Sequence, residues 1–460
     1  MKSSLTCGNA RRSFLKHAAA AVGAAASWGN VRANESPEGT IETVVQNVNT
    51  NSKPSDLKIT DLRVLVIGRA PMTCPIIRID TNQGIYGLGE VRDGASKNYA
   101  LMLKSRLLGE NPCNIDKLFR KVKQFGSHSR QAGGVCAVEM ALWDLAGKAY
   151  SVPIYQMLGG KFRNKIRCYA DTTESKDPKV YGQRLKARRD QGFTWLKMDL
   201  GIDLVADVPG ALTLPAGTSL AYGDPTVGPL TGTEITDKGV ALMCDYVAQV
   251  REIVGMDIPL AADHFGHIGV NSCIRLGKGL EKYNMAWLED MVPWQYTDLL
   301  KKITDAVDIP ILTGEDIYLK EPFIELCRAH AVDMIHPDLA TSGGILETKK
   351  IGDAAQEFGV PMAMHFAGTP VSCMANVHCA AATENFLTLE NHSVDVPWWG
   401  DLVDGIEKPI INKGFITVPD KPGLGVTLNE DLVKQHLLEP GYFEPTPQWN
   451  TDRSSDRQWS

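Results

Sequence analysis

PLAAD at 259–263, MAWLE at 285–289 and PILTGE at 310–315 each end a short apolar run on an acid. The acids are Asp263, Glu289 and Glu315, evenly spaced by 26 residues. A strand, a helix and two turns occupy that kind of interval, so the spacing predicts successive βα units of a parallel barrel. The C-terminal strand ends of such a barrel open at one mouth, where catalysis is placed. Three carboxylates converging there repel one another unless a cation lies between them. Ligation by oxygen alone suits a hard divalent ion, Mg²⁺ foremost, one per chain.

Working outward, the same texture of alternating strand and helix runs from about residue 161 to 415. Its candidate strands are IRCYAD, TWLKMD, PLAAD, MAWLE, PILTGE, DMIHPD, PMAMH and FLTLE, eight in all, the number of a closed (β/α)8 barrel. The sixth ends at Asp338 and the seventh at His365. Neighbouring strand ends set these side chains together. An Asp against an imidazole fixes its tautomer and raises its basicity, which prepares a general base; the plainer alternative is a structural hydrogen bond. His336 stands two residues before Asp338, on the same strand face, and is a candidate for filling a side-chain layer or for backing the substrate. Residues 200–236, rich in Gly, Pro and Thr, interrupt the pattern between the second strand and its helix. A loop of that length at the mouth reads as a lid or specificity loop.

Ahead of the barrel, LKITDLRVLVI and CPIIRIDTNQGIYGLGEV alternate as strands, and the turn Thr81-Asn82-Gln83-Gly84 marks an antiparallel meander. VCAVEMALWDLAGKAYSV follows with helical spacing, so residues 56–160 read as an α+β capping domain. Residues 416–460 are expected to pack back on that cap, with a disordered tail.

The 460 residues are 43% hydrophobic, enough for a large core, and the net charge of −6 argues against nucleic acid or an anionic membrane as partner. Arg11-Arg12-Ser13-Phe14-Leu15-Lys16, then AAAAVGAAASWG and Val31-Arg32-Ala33, read as a twin-arginine export signal cut near Ala33. The apolar run falls short of the ~20 residues that span a bilayer. The mature protein is therefore expected outside the cytoplasm, in the periplasm, with residues 34–55 as a flexible leader. Of ten cysteines, Cys7 lies in the signal, which leaves an odd number. Most of these sit in apolar contexts and read as buried thiols.

The order Lys197, Asp263, Glu289, Glu315, Asp338, His365 along a barrel resembles the mandelate racemase / muconate lactonizing enzyme group of the enolase superfamily. AVEMALWDLAGKAYSVPIYQMLGG resembles that family's capping helix and its exit, and the likeness spans roughly residues 57–440. The resemblance implies Mg²⁺ on Asp263, Glu289 and Glu315. It also implies that His365, paired with Asp338, removes the proton beside a carboxylate, while Glu390 in FLTLENH and Lys197 contact the substrate carboxylate and enolate. Sites of this superfamily pair a Lys or His base with Mg²⁺ that stabilises an ene-diolate. It further implies a homo-oligomer and a small carboxylate substrate. Arg69, Glu90 and Arg92 in the cap are candidates for the substrate's far end.

Two departures from the family pattern carry information. The second strand ends Lys197-Met198-Asp199 where the family has K-x-K, so Asp199 takes the place of the base on the opposite face. Racemisation needs a competent group on each face, whereas loss of a hydroxyl after proton removal needs one. That favours a dehydratase of the acid-sugar branch, forming a 2-keto-3-deoxy acid, over a racemase, epimerase or cycloisomerase. After Asp263 the chain reads His264-Phe265-Gly266-His267, and either histidine is a candidate acid or substrate ligand. An exported, metal-dependent sugar-acid binding protein without turnover is the alternative from another class.

Overall fold

The computed structural model describes residues 53–70, 72–218, 230–263 and 266–451, all within one compact unit, Asn51–Ser460. The twin-arginine segment, the leader to residue 52, His264, the middle of the 200–236 insertion and the last nine residues lie outside the described residues.

The capping region opens with three antiparallel strands in the order β1 (Ile59–Ile67), β2 (Cys74–Thr81) and β3 (Tyr86–Glu90). Gly84, at φ 77°, turns β2 into β3 as the TNQG motif predicts. The helix Gly133–Tyr150 lies flat on β3. A Cβ on Gly87 or Gly89 would stand 2.1 and 2.0 Å from the carbonyls of Ala141 and Ala137, so glycine on the strand and alanine on the helix permit the approach. Asp144, fully buried on that helix, accepts from the backbone N–H of Leu88 and of Leu424, at 2.9 and 2.8 Å, and so ties strand, helix and C-terminal segment together. The C-terminal segment returns to the cap, where Leu438 N–H donates to the Val66 carbonyl at 2.8 Å.

Beyond the cap, eight parallel strands run Lys165–Ala170, Leu196–Asp199, Leu260–Asp263, Met285–Glu289, Ile311–Thr313, Met334–Ile335, Met362–Met364 and Phe386–Asn391. They are referred to below as the first to eighth barrel strands. Hydrogen-bonded ladders link the first to the eighth, and the eighth back in order to the second; the first and second touch and complete the circle. A hairpin, Ile411–Asn412 with Phe415–Thr417, adds antiparallel to the first strand. The fold is thus a (β/α)8-type barrel with an N-terminal α+β cap, as the strand count predicts.

The barrel floor is a separate apolar cluster of Tyr169, Ala261, Trp287, Leu312, Met334 and Ala363, one from each of six strands. Trp195 stacks on Trp287 with ring centres 5.3 Å apart. Side chains along a strand alternate between faces, so the inward residue two positions on from each floor residue stands one layer nearer the mouth. Those residues are Asp171, Asp263, Glu289, Gly314, His336 and His365, and Lys197 joins them two positions on from Trp195, so every side chain in the layer is polar.

The insertion begins with a helical turn, Ile202–Val205, and carries a two-residue ladder, Leu212–Thr213 with Glu234–Ile235, at its base. Nine described cysteines are free thiols, eight of them buried. Among the described residues no helix is long and apolar enough to cross a membrane.

Candidate active site

Lys197 stands at the centre of the polar layer. Its Nζ lies 2.7 Å from Asp263 Oδ2, 2.9 Å from Glu390 Oε1 and 3.4 Å from Glu289 Oε1. Burial alone would strip this ammonium of its proton, but Asp263, Glu289 and Glu390 outweigh it and hold the proton on. Glu289 is itself fully buried and accepts from Trp287 Nε1–H at 2.9 Å. Asp199 is the register partner of Asp263 on the adjacent strand, and its backbone N–H donates to Tyr181 Oη.

The sequence reading assigns a cation to Asp263, Glu289 and Glu315. The structure gathers ligand oxygens of Asp263, Glu289 and Asp290 within 4.8 Å of one another. Asp290, next in sequence to Glu289, would face away from the barrel by simple alternation. Its φ of 50° turns it back toward the mouth, where its Oδ1 accepts from Thr313 Oγ1 at 2.5 Å. Burial, and after it the charges of Glu315, Glu289 and Asp263, raise its pKa well above the usual carboxylate range. Glu315 reaches the mouth because Gly314, at φ 145°, breaks the alternation after the fifth strand. Its Oε2 lies 3.1 Å from His365 Nε2 and its Oε1 3.6 Å from Arg92 Nη2. Burial would raise this carboxyl too, but His365 and Arg92 prevail and lower it. Asp263, Glu289, Asp290, Glu315 and Glu390 outnumber the cations Lys197 and Arg92 beside them, and the all-oxygen donor set of the first four fits a hard divalent cation.

Across the mouth, His365 Nδ1 lies 2.6 Å from Asp338 Oδ2. Asp338 Oδ1 accepts from the backbone N–H of Ala340 at 2.7 Å, which caps the short helix that follows. The dyad read from the sixth and seventh strand ends is therefore formed, with Nε2 of the imidazole turned to the mouth. His336 is fully buried in the same polar layer, its Nδ1 2.9 Å from the Ala363 carbonyl and its Nε2 3.1 Å from Glu289 Oε1. That burial makes it a member of the layer under the substrate. Glu390 is also fully buried, between Lys197 and the histidines. Burial would raise its pKa, yet Lys197 and His392 hold it well below the usual range.

The cap residues divide. Sequence reading sets Arg92 at the substrate's far end; the structure buries it to 1% exposure beneath the dyad, where Nη1 lies 2.7 Å from Asp338 Oδ2 and Nε 2.8 Å from Asp93 Oδ1. Two buried carboxylates and Glu315 draw it inward, as desolvated charge requires. Glu90 likewise turns from the mouth: it accepts from Thr369 N–H at 2.8 Å and Ser372 N–H at 3.2 Å, at the head of the helix Pro370–Ala382. Arg69 is exposed, at φ 59°, on the loop between β1 and β2. That loop touches the chain leaving the eighth strand, where Ser393 Oγ–H donates to the Ala70 carbonyl at 3.4 Å. His267 is half-buried in the turn after the third strand.

Sequence reading missed Asp171 and His392. His392 Nδ1 lies 3.3 Å from Asp171 Oδ2, and its Nε2 3.3 Å from Glu390 Oε1. A signal was present: each stands two residues beyond an inward-facing residue, Tyr169 and Glu390.

The cap and the barrel each match a known family domain. Residues 40–159 match the N-terminal domain of mandelate racemase / muconate lactonizing enzyme, and residues 181–432 match the family described as enolase C-terminal domain-like. The chain belongs to the enolase superfamily. D-xylonate dehydratase of Haloferax volcanii is 35% identical over 395 residues, covering 84% of this chain and 90% of the relative. Arabinonate dehydratase of Saccharolobus solfataricus is 28% identical over 82% of this chain and 93% of its own length. Among solved structures, a mandelate racemase/muconate lactonizing enzyme-like protein from Rubrobacter xylanophilus superposes with a TM-score of 0.74 at 30% identity, over 84% of this chain and 99% of that one.

Proposed function

We propose that the protein is a Mg²⁺-dependent hydro-lyase that removes water from a sugar acid to give a 2-keto-3-deoxy acid. The observation that carries this is the His365–Asp338 pair, 2.6 Å apart, facing a layer of carboxylates built around Lys197. The dehydratase names of the relatives support the reaction class.

Asp263, Glu289 and either Asp290 or Glu315 would hold the cation. Bound there, it would neutralise charge that develops on the substrate carboxylate as the adjacent C–H bond ionises. The protein's own residues do the rest. Lys197 pairs with the substrate carboxylate and the enolate oxygen, because its charge is already fixed by buried acids. His365 takes the C2 proton on Nε2, and Asp338 keeps Nδ1 protonated and stabilises the imidazolium. Arg92 stops the Asp338 carboxylate from taking up that proton itself: burial would raise the pKa of Asp338, but Arg92 and then His365 hold it below the ordinary value. Glu390, buried and ionised, sets the charge that the layer presents from below.

Incubating the purified protein with Mg²⁺ and a panel of pentonates and hexonates tests this reading. Formation of a 2-keto-3-deoxy acid from at least one member supports it. C2 epimers without loss of water would make the protein an isomerase instead, and binding without turnover would make it a binding protein. Export by the twin-arginine route rests on residues 11–33 alone; recovery of a shortened protein in the periplasmic fraction tests it.

A further inference from the structure

We propose that His392, held by Asp171, is the acid that protonates the departing hydroxyl, a task separate from that of the base His365. The inference rests on the dehydratase reading above.

Asp171 follows the first barrel strand and His392 the eighth, and these strands are bonded neighbours, with Asn391 opposite Ala170. Closure of the barrel therefore brings together two residues remote in sequence. The pair repeats part of the plan of the base: a carboxylate 3.3 Å from Nδ1, with Nε2 directed into the polar layer, 3.3 Å from Glu390 Oε1. That Nε2 is buried, and among the described residues its close partner is Glu390 Oε1, an ion-pair contact at 3.3 Å that falls short of good hydrogen-bond geometry. A donor so placed is oriented toward something that arrives with the substrate. The groups facing the ring are Asp171, Glu390 and His365, with Lys197 beyond Glu390. Burial would drive the proton off, but Glu390 and Asp171 prevail and push the imidazolium up to about 10, so it is charged at neutral pH.

The rings of His365 and His392 lie 5.5 Å apart, tilted by 53°, on one wall of the mouth. In a 2,3-dihydroxy acid the C2–H bond and the C3–O bond are on adjacent carbons. Two imidazoles side by side can reach both from one face. His365 Nε2 takes the C2 proton, and the electrons of that bond are first held as the enolate of the carboxylate, then form the C2=C3 double bond as the C3–O bond breaks. The C3–O bond breaks with its electron pair on oxygen, which takes the proton from His392 Nε2 and leaves as water. The enol then ketonises, gaining a proton at C3 and losing the one on oxygen, and both imidazoles return to their starting states. Elimination from one face is syn.

The test compares the full chain with its His392→Asn and His392→Gln variants, all with Mg²⁺. Each is given the sugar acid that the unaltered enzyme dehydrates, and that acid's 3-deoxy-3-fluoro analogue. Fluoride leaves with little help from an acid, whereas hydroxide does not. The expected result is that dehydration falls by about 10²-fold or more. Exchange of the C2 proton with D₂O should persist, and fluoride release should stay within several-fold of the unaltered rate. Retained fluoride release also shows that the variants are folded. Asp171→Asn should show the same split in weaker form, as expected of a positioning residue. Equal loss of both eliminations, or unchanged dehydration, overturns the inference. An unaltered enzyme that dehydrates no sugar acid overturns the dehydratase reading itself, and this inference with it.

Discussion

Arg92, from the cap, places Nη1 2.7 Å from Asp338 Oδ2, the same oxygen that lies 2.6 Å from Nδ1 of the catalytic-base candidate His365. Cap and barrel are thereby joined at the dyad, and a residue that never meets solvent sets the charge state of the base's partner. Arg92→Met leaves Asp338 buried without its cation, and breaking such a pair costs about 3–5 kcal/mol. Because the folded pKa of Asp338 is depressed, its contribution is present above the unfolded value of about 3.9 and is lost as pH falls through the folded value. Urea unfolding should show the variant much less stable at pH 7, with the gap narrowing in acid. A gap that is constant with pH would contradict the charge argument.

Replacing His365 with Asn keeps a polar group of similar reach to Asp338 but removes the basic Nε2. Turnover should drop by about 10²–10⁴-fold, with exchange at C2 lost in parallel and the melting temperature little changed. Proton exchange by NMR is the discriminating readout, since a purely structural role for the imidazole would leave it intact in folded protein.

Lys197 and a bound cation answer the same excess of buried carboxylates. Adding Mg²⁺ should raise the melting temperature, by about 2.7 kcal/mol of stability at a hundredfold excess over Kd. Lys197→Met removes the ammonium from Asp263, Glu289 and Glu390. The variant should be less stable in EDTA and gain more from Mg²⁺ than the unaltered chain does. Thermal melts at several Mg²⁺ concentrations decide this; an equal or smaller gain would mean that the ion is held elsewhere.

Burial raises the carboxyl of Glu90 to about 8, against the pull of its bonds to Thr369 and Ser372. A pKa raised on folding means that the folded state holds a proton that the unfolded state releases. The stability so gained is complete below the unfolded value near 4.5 and is lost as pH rises toward 8. Glu90→Gln keeps an acceptor for those N–H groups and removes the titration. Relative to the unaltered chain it should therefore be more stable at pH 8 than at pH 5, measured as the difference in melting temperature.

The barrel and its chemistry were legible where geometry follows strand parity. Asp263, Glu289, Asp338 and His365 end short strands, and evenly sized βα units bring such ends to one mouth. Legibility stopped where parity breaks or where the ring closes. Asp290 turns inward through a positive φ that its own residue type does not announce. Asp171 and His392 meet only because the first strand pairs with the eighth, a contact invisible to any local window. Arg92 reads as an ordinary charge in VRDG, and only the buried acids facing it explain its 1% exposure.

The central claim is that His365 removes the proton beside the substrate carboxylate, and isotopic labelling at C2 tests it most directly. A sugar acid deuterated at C2, turned over with Mg²⁺, should show a primary isotope effect and release its deuterium to solvent, and both should vanish in His365→Asn. Turnover without a primary isotope effect, or unchanged release by the His365→Asn variant, would contradict the account.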